Sequence, residues 1–159
     1  TLSFVAREMR SADGGFYSAL DAVSKPAHDD KAEKAEGAYY LWRESELKRV
    51  LSAQEFAFAK KYYQVERDGN IVSDPLNQFI GLNVLHVDDE LRDKPLTQQE
   101  AEWLASARKQ LNKVRMARPR PHLDDKIITA WNGMMISALA TSSRTFDDRA
   151  LLSQAEQAA

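Results

Sequence analysis

Apolar residues recur at helical spacing along most of this chain, and short stretches of alternation interrupt them. Leu2, Val5, Ala6 and Met9 fall on one helical face, so residues 1–11 predict the end of a helix. Asp13-Gly14-Gly15 closes it, because glycine accepts the left-handed backbone that ends helices. Residues 16–22, FYSALDA, alternate apolar with small or polar groups and predict a strand. Residues 24–36 are polar, with Pro26 and several lysines, and predict a loop. Residues 38–42, AYYLW, predict a second strand, so the two together predict a hairpin with a long connection.

From there the pattern is mostly helical. Residues 44–51 predict a short helix with Leu47, Val50 and Leu51 inward. Ser52-Ala53-Gln54-Glu55 and Thr97-Gln98-Gln99-Glu100 are capping boxes, each launching a helix, the first to about Tyr63 and the second to about Ala117. The longer helix carries a stripe of Ala101, Leu104, Ala107, Leu111 and Val114. RDGN at residues 67–70 predicts a turn, and residues 83–87 a short extended piece. Pro119 and Pro121 end the long helix. Asp124 or Asp125 then caps an apolar helix in the segment 121–140, and Asp147-Asp148 starts the last one. The fold class expected is mainly α: helical hairpins laid side by side, as in an α/α solenoid or toroid, with a small β-hairpin insertion.

Composition narrows the function. With 159 residues the chain can bury a core of its own, and 43% hydrophobic with 29% charged residues suits a globular class. A net charge of −2 argues against nucleic acid or an anionic membrane as partner. There is no cysteine, which excludes disulfides, thiolate metal sites and thiol catalysis within this chain and fits a reducing, cytoplasmic location. The longest apolar run, residues 127–139, is broken by Asn132 and too short to span a bilayer. We expect an internal piece of a longer protein, without a signal peptide, whose faces built for missing neighbours promote self-association.

Chemistry is concentrated in two places. Asp124 and Asp125 stand at the expected helix start, where either both cap or one caps and the other faces a cavity. Asn132, inside an apolar segment, needs a buried partner or a polar cavity. Trp131 is a core residue or an aromatic platform for the C–H face of a sugar. The second set is Asp21 and Glu36 among Phe16, Tyr17, Tyr39, Tyr40 and Trp42, read as polyol binding or as a solvated loop beside an aromatic core. A carboxylate from each set suits acid–base work on a glycosidic bond. His28, His86 and His122 lack metal-ligand spacing, so no metal is expected; His122 is either a proton carrier or a surface residue. The basic run of Arg108, Lys109, Lys113, Arg115, Arg118 and Arg120 reads as a solvated helix face, with a phosphate or partner site as the other reading.

DGGFYSALDAVS, EGAYYLW and RPRPHLDDKIITAWNGMMISALA, in that order over residues 13–140, resemble the YyaL-like family, also called spermatogenesis-associated thioredoxin-domain proteins. The resemblance implies an upstream thioredoxin-like domain and an (α/α)6 toroid similar to N-acylglucosamine 2-epimerases and six-hairpin glycosidases. Residues 1–159 would be a partial toroid. It implies a carbohydrate ligand, no cofactor, and site positions at Asp21, Glu36, Asp124, Asp125, Lys126, Trp131 and Asn132, with Tyr39 and Trp42 as further aromatic contacts. Val23 departs from the family's second Asp, and Arg43 from its helix-capping Thr. Three functions remain: an epimerase or hydrolase acting on a sugar, a non-catalytic helical binding module, or an accessory to an upstream redox domain.

Overall fold

The computed structural model describes residues 1–26, 33–75 and 78–159. The described residues form seven helices and four two-residue strands: α1 (Leu2–Glu8), β1 (Ala19–Leu20), β2 (Val23–Ser24), β3 (Ala35–Glu36), α2 (Glu44–Val50), α3 (Ala53–Tyr62), α4 (Asp89–Arg92), α5 (Gln98–Met116), β4 (Leu123–Asp124), α6 (Thr129–Phe146) and α7 (Arg149–Ala158). The fold is mainly α with a small β insertion. Two compact units divide the chain, one of Thr1–Ala22 with Pro121–Ala159 and one of Val23–Arg120. Among the described residues no helix is long and apolar enough to cross a membrane.

In the first unit α6 packs along α7 as a helical hairpin. Asp147 makes the tight reversal in the left-handed conformation (φ 51°), and Asp148 caps α7 by accepting from the Ala150 N–H. Phe16, Leu139 and Ala155 form its core, with Leu2, Val5, Met135, Ile136 and Leu151 around them. β1 pairs antiparallel with β4, Ala19 opposite Asp124 and Leu20 opposite Leu123.

In the second unit α3 packs on α5, and α2 on both. Trp42, Leu47, Leu51, Ala59, Tyr63, Val65, Leu104, Ala107 and Leu111 form the core. Both expected capping boxes are present, with Ser52 and Thr97 accepting from the N–H three residues on and Glu55 and Glu100 returning the bond. β2 and β3 are a hairpin, Val23 opposite Glu36 and Ser24 opposite Ala35.

The strands differ from expectation in their partners. The segment 16–22 contributes only β1, and it pairs with residues after the long helix. The segment 38–42 is turn, with one bridge from Trp42 to Asn83. The cause is local: Gly37 takes a positive φ of 67° and directs the chain into a turn from which Tyr40 and Leu41 donate back to its carbonyl. Asn83, fully buried, then holds Trp42 and Glu66 together: its Nδ2 donates to both carbonyls and its Oδ1 accepts from the Glu66 N–H.

Candidate functional site

The expected cap at Asp124 or Asp125 is not there. α6 starts at Thr129, its N-cap position is Ile128, and no side chain caps it. Asp124 is held extended by the ladder: its carbonyl accepts from the backbone N–H of Ser18 at 3.2 Å and from the Ser18 hydroxyl at 3.1 Å. No residue between Asp124 and Thr129 is helical, so Asp125 and Asn132 do not share a helical face. The Asp124 carboxylate takes the Lys126 ammonium on both oxygens, at 2.8 Å each. That bond, opposed slightly by burial and supported by Ser18, holds the Asp124 carboxyl below its ordinary range. Asp125 is exposed. Asp21 is exposed too, and its backbone N–H donates to the carbonyl of His122, whose side chain faces solvent.

Asn132 is buried, 7% exposed, and has a backbone partner. Its Oδ1 accepts from the Phe16 N–H at 2.8 Å, and its Nδ2 donates to the Phe16 carbonyl at 3.0 Å and the Ile128 carbonyl at 3.1 Å. The amide thus imitates a neighbouring strand and fixes Phe16 against α6, meeting the requirement that a buried amide be paired. Trp131, one residue earlier, points away and is 50% exposed.

Between α6, α1 and the Phe16 segment lies a cleft of about 380 Å³. Val5, Met9, Phe16, Tyr17, Ser18, Trp131, Met134 and Met135 are in its lining, with Asn132 beneath. The apolar residues present an adaptable floor, since methionine side chains are flexible and polarizable. Tyr17 and Trp131 add aromatic faces, and the Ser18 hydroxyl links the lining to the Asp124 backbone. The first unit therefore brings Trp131 and Asn132 together on one cleft, next in sequence to the Asp124–Lys126 pair.

The other expected site residues belong to the second unit. Glu36 is exposed on β3. Tyr39 is buried, edge-on to Tyr40, with its hydroxyl 3.6 Å from the Met116 sulfur. Trp42 is 2% exposed, and the Arg118 guanidinium stacks 3.9 Å from its ring centre, so neither face is open to a sugar. Val23, where the resemblance leads one to expect Asp, is half-buried in β2. Arg43 offers no acceptor as N-cap, and Glu46 takes over by accepting from the Arg43 N–H at 2.8 Å.

The basic run is not a uniformly solvated face. Arg118 is 6% exposed and donates through Nη1 to the carbonyls of Tyr39 and Leu41 and through Nη2 to buried Glu46 at 3.1 Å. Burial lowers its pKa and Glu46 opposes this; a guanidinium stays charged regardless. Arg115 lies over the rings of Tyr39 and Tyr40, and Arg108 donates to the Tyr63 hydroxyl at 2.9 Å. Periodicity carries no signal for this, because Arg118 follows the helix end. Ser18 and Met134 carry no sequence signal either, and Met9 reads only as part of an apolar helix face; all three gain significance through the cleft. Among the described residues no group of three or more His, Asp or Glu could hold a metal ion; His28 lies outside the described residues.

No protein-family model matches the chain. It is 34% identical to an uncharacterized protein of Caenorhabditis elegans over 92% of its residues. It is 32% identical to spermatogenesis-associated protein 20 of Homo sapiens and 33% identical to that of Mus musculus, over 99% in both cases. The chain spans only 22% of the length of each of these relatives. Along nearly its whole length the chain is thus similar to spermatogenesis-associated protein 20 of two mammals.

Proposed function

We propose that the first unit binds a carbohydrate in the cleft beside Trp131, as part of a helical toroid in a longer, cytoplasmic protein that also carries a thioredoxin-like domain. The observation behind this reading is the placement of Trp131. Its indole is half exposed on a cleft that also holds Tyr17 and the Ser18 hydroxyl. Aromatic faces suit the C–H surface of a sugar, and adjoining polar groups can address its hydroxyls. In the catalytic form of the proposal, Asp125, exposed in the same unit, exchanges protons with substrate. Asp124, kept ionised by Lys126, supplies negative charge near a developing cation.

The test is a panel of neutral mono- and oligosaccharides against the full chain and its Asp125→Ala and Trp131→Ala variants, read by calorimetry and by product analysis. Binding lost in Trp131→Ala, with turnover lost in Asp125→Ala, is the expected pattern. Absence of both binding and turnover across the panel contradicts it. A second reading, a non-catalytic module that docks a protein partner such as the thioredoxin-like domain, draws on the methionine-rich lining, which suits an apolar surface. It expects partner binding that Met134→Glu abolishes and no response to sugars.

A further inference from the structure

We propose that Asn132-Gly133 is a site of spontaneous covalent modification, silent in the folded first unit and released when that unit opens. An asparagine followed by glycine is prone to deamidation because no side chain shields the next backbone nitrogen. The Gly133 nitrogen attacks the Asn132 side-chain carbonyl carbon, a C–N bond forms, and the side-chain nitrogen leaves as ammonia. Water then opens the resulting succinimide, at one carbonyl to aspartate and at the other to isoaspartate. The net change is asparagine plus water to acid plus ammonia, with no oxidant or cofactor.

Three features of the fold suppress this reaction. Asn132 and Gly133 lie inside α6, and helical ψ keeps the Gly133 nitrogen away from the line of attack. The Asn132 N–H is tied to the Ile128 carbonyl at 3.0 Å. Its side-chain amide is immobilised, with Nδ2 donating twice and Oδ1 accepting from Phe16. Packing does not require the glycine: a Cβ built there meets no heavy atom within 4 Å. Its backbone freedom therefore weakens the helix and leaves Asn132 reactive whenever the helix opens. The same amide needs both a donor and an acceptor to hold Phe16. Aspartate keeps the acceptor and replaces the donor by an oxygen facing the Phe16 carbonyl, and isoaspartate also inserts a methylene into the helix backbone. Modification in the open state thus prevents return to the native clamp, so the dipeptide records how long the unit has been unfolded.

The experiment incubates the full chain folded and in urea, then maps peptides for aspartate and isoaspartate at position 132. The expected result is deamidation more than about tenfold slower in the folded chain, following the open population. Isolated deamidated chains, diluted from urea, do not regain the slow hydrogen exchange at the Phe16 N–H that unmodified chains recover under the same treatment. The Gly133→Ala variant, held in urea so that its folding is immaterial, deamidates more slowly than the parent. Equal rates in folded and unfolded chains, deamidated chains that regain slow exchange at the Phe16 N–H, or an unchanged rate in Gly133→Ala would each overturn the proposal.

Discussion

Asn132 grips Phe16 by both backbone groups, accepting from its N–H at 2.8 Å and donating to its carbonyl at 3.0 Å. One side chain of α6 thereby fixes the segment that supplies Phe16, Tyr17 and Ser18 to the cleft. Removing it leaves two backbone groups unpaired in a buried place. Asn132→Ala is expected to destabilise the first unit by about 1–3 kcal/mol. Hydrogen exchange at the Phe16 N–H is the local probe: it accelerates in the variant, and unchanged exchange contradicts the clamp.

The second unit depends on Arg118. Its guanidinium satisfies two carbonyls and Glu46 while covering Trp42. Arg118→Ala takes the counter-charge from buried Glu46 and the donor from two carbonyls, at an expected cost of about 3–5 kcal/mol. Arg118→Lys recovers little of this, because an ammonium has neither the planar face nor the fork. Urea unfolding followed by the near-ultraviolet signal of Trp42 checks both.

Acid sensitivity follows from Glu55. Hydrogen bonds from Ser106, Ser52 and Gln110 lower its pKa from 4.5 to about 2. The folded state favours the ionised form, so its contribution is complete above about pH 4.5 and is lost as pH falls toward 2. After allowance for solvent screening it amounts to about 1–2 kcal/mol. Urea midpoints between pH 6 and pH 2 fall less steeply in Glu55→Gln than in the parent; parallel slopes contradict the assignment.

Two glycines behave oppositely. Gly133→Ala adds a methyl to open space in a helix and raises stability by about 0.5–1 kcal/mol. At Gly69, φ is 93° and a Cβ would sit 2.6 Å from the Leu82 carbonyl oxygen. Gly69→Ala therefore costs at least about 1–2 kcal/mol. Thermal melts of the two variants separate them by sign.

Helices were legible because their signals are local. Ser52-x-x-Glu55, Thr97-x-x-Glu100, Asp148 and the Leu104–Ala107–Leu111 stripe each state their structure within a turn or two. Strand pairing was not, because β1 meets β4 across about a hundred residues and each strand has only two. No periodicity encodes such a partner. The start of α6 was misplaced for a related reason: aspartate is a good cap, but the backbone of Asp124 is already committed to Ser18. For the candidate site, Asn132 and Trp131 stood out as an amide and an aromatic in an apolar run. Their division of labour, one inward on Phe16 and one outward on the cleft, depends on where α1 and residues 16–18 lie. Trp42 and Arg118 illustrate the reverse case, an aromatic and a cation that each look available alone and occupy one another once folded.

The most direct measurement of carbohydrate binding is a sugar titration followed through the three indole N–H resonances. Trp131 is half exposed on the cleft, Trp42 is sealed beneath Arg118, and Trp103 packs near Phe58 on the other unit. Sugar binding in the cleft predicts a saturable shift of the Trp131 resonance while those of Trp42 and Trp103 stay in place. A Trp131 resonance that does not move with any sugar, or that moves only together with the other two, contradicts it.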